Sequence, residues 1–433
     1  MFRPTGFADL AGRRVGIFGY GVEGHATERR LRGLSELVVV DDAPGLGPEV
    51  LVTDEGGLDA LLGCDVVLKS PGIPRRRADV VSLERHGVAV TSALNLWLRE
   101  TDRARVVGLT GTKGKSTTTA LVTFFLHCVG EAAQRLGNIG QPPYDPSLDT
   151  SKGWLVLEVS SFQCVDLDVA PGVVVVTSLG ADHLDWHGSL EQYHDDKLSF
   201  TRAEGAHVTL VPDNVTFRQI QDQLGGELRF VERDTDHLCA ALGLIGAHNS
   251  ANVSLALAAV EALTGVDASE LRGAVERESY RFEPLRGRLT LVAEESPNGA
   301  ALRYVDDGLA TSVLPTVAAL EVFVDEPVAL IAGGFDRGVD YDELARALAA
   351  RQQPTTLITM GDAGRRIGAA LAARSDVTQH HAVDMGDAVR LARSSLVRGG
   401  VVLLSPAAPS FDQYRNWEER SDDFTAVVRS LVR

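Results

Sequence analysis

Residues 106–130 read VVGLTGTKGKSTTTALVTFFLHCVG. The pattern predicts an apolar strand, a turn of glycines and threonines closing on Gly114-Lys115-Ser116, and an amphipathic helix. Such a turn cradles phosphate. Successive backbone N–H groups and a helix N-terminus form an anion site, the lysine reaches the outer phosphates, and the adjoining hydroxyl can hold magnesium. Gly111, Thr112, Lys113, Gly114, Lys115, Ser116 and Thr117 are therefore candidate ATP-binding residues, with Ser116 also a candidate metal ligand. The strict phosphate-loop pattern asks for glycine where Leu109 stands, so the cradle is a variant. The competing reading is an ordinary strand-to-helix turn. The flanking strand and helix favour phosphate, and the expected ligand is ATP or a relative.

Other polar residues fall at the ends of apolar runs: Glu158 and Ser160 in WLVLEVSSFQ, and His183 after VVVVTSLGA. In open parallel sheets ligands sit beyond the carboxyl ends of the strands, so these residues should converge on the rim that carries Lys115. In Asp182-His183-Leu184-Asp185-Trp186-His187, a helix would put His183 and His187 on one face, as in a zinc pair. The zincin pattern, however, has glutamate directly after the first histidine, and this chain has leucine. The readings open here are zinc, histidines lining a polar rim, and a role beside magnesium and phosphate.

These residues need a scaffold, and the chain is long enough for two or three domains at 433 residues. Apolar strand-like runs alternate with helical stretches throughout, which predicts an α/β protein. Three domains are expected: 1–101, 102–285 and 286–433, with Rossmann-like first and third domains flanking a central phosphate-loop domain on a parallel sheet. The charged stretch 99–105 reads as a linker into the second. No apolar run approaches the roughly 20 residues that span a bilayer, and no signal-peptide core precedes the first strand. A cytoplasmic protein is expected. Cys64, Cys128, Cys164 and Cys239 are widely spaced in apolar stretches and read as core thiols. A net charge of -17 argues against nucleic-acid partners. Small-molecule substrates are expected, with local Lys and Arg holding any anionic ones.

The first domain opens on RVGIFGYGVEGHATERRL, where Gly19, Gly21 and Gly24 form G-x-G-x-x-G, and VVVDD puts Asp41 about 20 residues on. Taken alone this suggests NAD, although any diphosphate nucleotide satisfies it. DVVLKSPGI, with Ser70, repeats the strand-then-turn pattern.

Taken together, TGTKGKSTTTAL, GNIGQP, LEVSSFQ, DHLDWHGSLEQYHDDKLSF, GAHNSAN, AGGFDRGVDYDEL and LLSPAAPSFDQYRNWEER resemble, in order and over nearly the whole chain, the Mur ligases of peptidoglycan precursor synthesis. Within that family they look like the ligases that add glutamate to UDP-N-acetylmuramoyl-L-alanine. The resemblance implies that the first domain holds UDP, through Gly19, Gly21, Asp41 and Ser70, with Asn138 contacting the substrate. It implies that Lys115 meets the β and γ phosphates, that Glu158 and Ser116 hold magnesium, and that His183 positions a second magnesium ion. Lys197 matches a lysine that family members carry as a carbamate, a metal-binding anion; its alternative is a solvated helix lysine. Asn252 should meet the adenine nucleotide, Arg288 the phosphates and Asp307 the ribose. Two departures stand out. Asp306-Asp307-Gly308 replaces the family's usual Asn-Asp-Ser, and Gly287 replaces the His or Asn that commonly precedes the phosphate arginine.

The implied chemistry is activation of a carboxylate by ATP to an acyl phosphate, then attack by the glutamate amine. Glutamate's two carboxylates would be gripped by Arg337 and Ser410, with Thr311 and Phe411 alongside. Most glutamate-adding members take D-glutamate and read SPACAS in the loop where this chain has Ala408-Pro409-Ser410-Phe411. Together with KSPGI and DHLDWHG, that loop looks closer to a subgroup that adds L-glutamate, which is the expectation here. A monomer is expected. A folate-chain glutamate ligase would leave residues 1–100 without a role. An NAD-dependent dehydrogenase would leave Lys115, Glu158 and Lys197 unexplained, and an inactive scaffold would have no need of them.

Overall fold

The strand runs Val106–Thr110, Trp154–Glu158 and Val173–Val176 are buried almost throughout. A strand that is apolar on both faces needs cover on both faces, which is the setting of a parallel sheet between helices. The computed structural model describes residues 2–138, 140–180, 182–205, 207–372 and 377–432. Ile139 of GNIGQP and Ala181 before Asp182 lie outside them. The expected α/β architecture is observed, built on three sheets. By internal contacts the chain divides into two units: Met1–Thr235 with Ala251–Glu278, and Asp236–Ser250 with Ser279–Arg433.

The first unit holds two sheets. One contains β1 (Arg14–Phe18), β2 (Glu36–Asp41), β3 (Val50–Val52), β4 (Val66–Lys69) and β5 (Ala89–Thr91), all parallel in the order β3-β2-β1-β4-β5. The order reverses between β1 and β4, so the crevice at their carboxyl ends is the natural ligand position. The other contains β6 (Val106–Thr110), β7 (Ala133–Gly137), β8 (Trp154–Glu158), β9 (Val173–Val176), β10 (Val208–Pro212) and β11 (Glu227–Val231), parallel in the order β11-β10-β9-β6-β8-β7. The helix Lys115–Cys128 differs from the amphipathic expectation, because residues 116–123 are all buried. It is packed between the sheet and the helix Ala268–Glu278, so little of it is left to face water. The stretch 99–105 is no loose linker either. Arg99 pairs with Asp168 at 2.7 Å, and Arg103 and Arg105 donate to the carbonyls of Glu204 and Gly153.

The second unit carries β12 (Thr290–Glu295), β13 (Leu302–Asp306), β14 (Val328–Gly333), β15 (Thr355–Met360), β16 (Thr378–His381) and β17 (Gly400–Leu404), in the order β12-β13-β17-β14-β15-β16. Only β12 is antiparallel. Cys64, Cys164 and Cys239 are buried as expected, whereas Cys128 is half-buried at a helix end. Among the described residues no helix is long and apolar enough to cross a membrane.

Candidate active site

The cradle between β6 and its helix depends on glycine at two positions. Gly111 and Gly114 have φ of 143° and 88°, in the range that side chains other than hydrogen disfavour. A Cβ on Gly111 would lie 2.1 Å from Thr177 Oγ1, and one on Gly114 would lie 2.5 Å from Asn252 Oδ1. Asn252, expected at the adenine nucleotide, therefore rests directly on the phosphate loop. The loop is propped from the end of β9: Thr112 N and Lys113 N donate to the carbonyl and hydroxyl of Ser178, at 2.9 and 2.8 Å. Thr112 Oγ1 also shares a hydrogen bond with Tyr193 Oη at 2.9 Å. The loop is held in shape in this way, with the N–H groups of Thr112 and Lys113 taken up by Ser178 and not offered to an anion.

Two lysines meet inside the cradle. Lys115 Nζ and Lys197 Nζ both donate to the carbonyl of Gly111, at 2.9 and 3.0 Å. Lys197 is 1% exposed, so the solvated-lysine alternative is overturned. Burial, with the Lys115 charge beside it, pushes the Lys197 ammonium down to about 7. The fraction of this amine that is neutral near pH 7 is nucleophilic, and converting it to an anion would turn repulsion from Lys115 into attraction.

Glu158 ends β8, level with Leu109 of β6 and Gly137 of β7. Its Oε1 accepts from Asn138 Nδ2 at 2.8 Å, while Oε2 is buried without any hydrogen-bond partner. A buried, unsatisfied carboxylate oxygen is costly, and a cation is the partner that would satisfy it. The residues thus fit a divalent ion at Glu158, with Ser116 buried at the start of the helix. Ser160 turns inward instead, in a capping box with Gln163.

The two histidines separate. His183 is exposed, with φ of 49°, immediately before the short helix Leu184–His187. His187 is buried, with Nδ1 2.7 Å from Asp196 and Nε2 3.0 Å from Ser161 Oγ. Both ring nitrogens of His187 are occupied, Phe162 contacts both rings, and among the described residues no three His, Cys, Asp or Glu side chains gather as a metal cluster. The zinc-pair reading fails on this geometry.

On the first sheet, Gly19 has φ of 96° and its carbonyl accepts from Ser70 Oγ at 2.7 Å, joining the turns after β1 and β4. Asp41 accepts from the backbone N–H groups of Tyr20 and Ala43, so it shapes the glycine turn. Gly21 caps the following helix, and a Cβ added there would meet open space.

In the second unit, Thr311, Arg337 and Ser410 follow β13, β14 and β17, three neighbouring strands, and so share one rim. Ser410 is buried, whereas Arg337 and Phe411 are exposed. Arg420 ties that rim together. Its guanidinium is buried and donates to the carbonyls of Gly308, Gly333 and Ala408. Asp307 accepts from Ser405 Oγ at 2.7 Å, and burial pushes its carboxyl up to about 7. Arg288 is half-buried, close enough for its charge to oppose that shift. The glycine departures have steric causes. A Cβ on Gly287 would lie 2.6 Å from the Trp417 ring, and one on Gly308 2.1 Å from Ser421 Oγ.

The Mur ligase middle domain family matches residues 109–227. A UDP-N-acetylmuramoyl-L-alanine--L-glutamate ligase of Micromonospora sp. is 39% identical, the match covering 98% of each chain. Proteins of the same name from Salinispora tropica and Xanthomonas axonopodis pv. citri are 38% and 35% identical, over 98% and 97% of this chain and 99% and 96% of theirs. The chain belongs to the Mur ligase family. Among solved structures it is similar to MurF from Acinetobacter baumannii, with a TM-score of 0.56 at 16% identity over 95% of this chain and 93% of that one. It is similar also to the UDP-N-acetylmuramate-alanine ligase MurC from Thermotoga maritima, with a TM-score of 0.51 at 16% identity over 97% and 100%. Those likenesses show the shared three-domain fold.

Within this Mur ligase the fold brings Lys115, Lys197 and Asn252 to one loop and Glu158 to the neighbouring strand end. Several supports were not foreseen: Thr177, Ser178 and Tyr193 behind the cradle, Asp196 beside Lys197, and Trp417, Arg420 and Ser421 on the helix Trp417–Leu431. RNWEER was legible as part of a motif, but nothing local says which residues of the helix it opens face a glycine.

Proposed function

We propose that this Mur ligase joins glutamate, as the L-enantiomer, to the alanyl carboxylate of UDP-N-acetylmuramoyl-L-alanine at the expense of ATP. The observation that carries the reading is the cradle in which Lys115 and Lys197 share one carbonyl beside the unsatisfied oxygen of Glu158. The names of the 35–39% identical relatives support the substrate and the L-enantiomer. We assign residues 1–101 to UDP, 102–285 to ATP and 286–433 to glutamate and part of the nucleotide. The reading includes a cytoplasmic, monomeric enzyme acting on small molecules, with neither nucleic-acid nor membrane partners.

In the reaction an alanyl carboxylate oxygen bonds to the γ phosphorus as the bond from that phosphorus to the β-γ bridging oxygen breaks, releasing ADP. The glutamate amine then attacks the acyl carbon. A C–N bond forms, the bond from that carbon to the phosphate breaks, and the amine proton passes to the departing phosphate. Lys115 swings from the Gly111 carbonyl to the γ phosphate and offsets charge that would repel the incoming carboxylate. Two magnesium ions, when bound, would supply further charge neutralisation, with Glu158, Ser116 and His183 as holding residues. Lys197 takes up carbon dioxide: its neutral Nζ bonds to the carbon, one C=O π pair moves to oxygen, and a proton leaves to water, so that the carbamate would offer an additional ligand. Thr311, Arg337, Ser410 and Phe411 hold glutamate on their common rim.

The deciding experiment supplies UDP-N-acetylmuramoyl-L-alanine, ATP, magnesium and both glutamate enantiomers in competition, and resolves the hydrolysed product by chiral chromatography. L-Glutamate is expected at least about tenfold ahead, a difference of about 1.4 kcal/mol between transition states. A product dominated by D-glutamate would reassign the enantiomer. Absence of any amide product would remove the assignment.

A further inference from the structure

Asp196 immediately precedes Lys197 and is 2% exposed, yet its carboxylate is shared among three elements. Arg76 forks onto it, Nη1 to Oδ2 at 3.0 Å and Nη2 to Oδ1 at 2.5 Å. Gln192 Nε2 donates to Oδ1 at 2.9 Å from within the helix Leu190–Leu198. His187 Nδ1 lies 2.7 Å from Oδ2, and its Nε2 lies 3.0 Å from Ser161 Oγ, three residues past Glu158. Burial pushes the His187 imidazolium down, which leaves a neutral ring whose Nδ1–H donates to Asp196 and whose Nε2 accepts from Ser161. Both Asp196 oxygens and both His187 ring nitrogens therefore have partners.

Arg76 does not belong to the central sheet. It sits in the loop after β4, the loop that also contains Ser70. A second tether reaches the same loop, since Trp186 Nε1 donates to the carbonyl of Gly72 at 3.0 Å. At the loop's root, Lys69 is fully buried against Asp166 at 2.6 Å. The segment carrying His183 and Lys197 is thus fastened at two points to the turn that faces the switch-point crevice of the first sheet.

We propose that Asp196, clamped between Arg76 and His187, is the positioning residue that aims Lys197 at the phosphate cradle, and that Arg76 makes this aim depend on the loop after β4. The inference rests on the carbamate reading of Lys197 given above. A bidentate arginine–carboxylate pair fixes direction as well as distance. Loss of that direction at residue 196 rotates the next side chain away from its carbonyl partner and loosens the pocket that a carbamate must fill.

The test compares wild type with Arg76→Met, which keeps length and apolar stem at a half-exposed site, with Arg76→Lys, and with the isosteric Asp196→Asn. Carbamate is read by 13C NMR with labelled bicarbonate, and turnover is titrated against bicarbonate. For Arg76→Met and Asp196→Asn we expect the bicarbonate concentration for half-maximal turnover to rise at least about fivefold and kcat at ambient carbon dioxide to fall about tenfold. KM for ATP should stay within about twofold, and Arg76→Lys should recover part of the loss. A purely structural contact would lower thermal stability without moving the bicarbonate titration, and that result overturns the inference while leaving the carbamate standing. Absence of a carbamate signal in wild type overturns both. Because Arg76 is half-exposed, its variants remain informative even if Asp196→Asn fails to fold.

Discussion

Gly308 and Ser421 compete for one small volume, and substituting both should cost less than the two single changes added together. A Cβ at position 308 would stand 2.1 Å from Ser421 Oγ but 3.4 Å from Ser421 Cβ, so the hydroxyl is the chief obstacle. The φ of Gly308 lies outside the left-handed range, so its backbone accepts a side chain. Gly308→Ser alone overpacks a buried site, at about 1–3 kcal/mol. Ser421→Ala alone removes the 3.0 Å hydrogen bond to the buried Asp306 Oδ1, at about 1–3 kcal/mol. In the double variant the clashing hydroxyl is gone and the new serine offers its own hydroxyl to Asp306. Some strain persists, since Asp306 Oδ1 would lie 2.9 Å from the new Cβ. A coupling of at least about 1.5 kcal/mol is expected, and residues in contact commonly show couplings of about that size. Urea unfolding of the four proteins, followed by tryptophan fluorescence, measures it. At about 2–4 °C per kcal/mol the melting temperatures should show it too. Additivity within about 0.5 kcal/mol would refute the reasoning and leave the glycine at 308 without a steric cause.

Lys115→Ala should lower phosphate release at saturating substrates by on the order of 10³-fold, since it removes a charge from the transition state; near-normal turnover in a folded variant would sink the ATP-site assignment. Lys197→Ala should be nearly inactive yet partly restored by added acetate, whose oxygens replace those of a carbamate; undiminished activity would remove Lys197 from the chemistry. Asp307→Asn should stabilise the protein increasingly as pH rises. The folded carboxyl titrates at about 7, against 3.8 for an ordinary aspartate, so the native state holds a proton the unfolded chain has released, and wild-type stability falls between pH 4 and 7. That shift of about three units corresponds to about 4 kcal/mol over its whole range, of which about 2.7 kcal/mol falls between pH 5 and 7, so the stability gap between the two proteins should differ by about that amount between pH 5 and pH 8; an equal gap at the two pH values would contradict the burial argument.

The sequence by itself determined the elements and the phosphate turn. Apolar strand runs and the glycine–lysine–serine spacing are local: they act within one strand, one turn and one helix start, where backbone geometry follows from the residues in hand. Gly111 and Gly114 could be read as a cradle for that reason. Tertiary structure decided what lies against the turn. Arg76 and Asp196 are 120 residues apart, and Asp306 and Ser421 are 115 apart; neither pairing leaves a periodicity or a spacing behind it. His183 and His187 show the same limit from the other side, because helical spacing put them on one face while packing buried one and exposed the other. The amphipathic expectation for the helix Lys115–Cys128 failed because a second helix covers it, and the solvated-lysine alternative for Lys197 is removed only by the fold, which takes away its water. Burial is a property of what several distant segments exclude together, so the protonation state of Lys197 and the unmet oxygen of Glu158 arise only once those segments have closed around them.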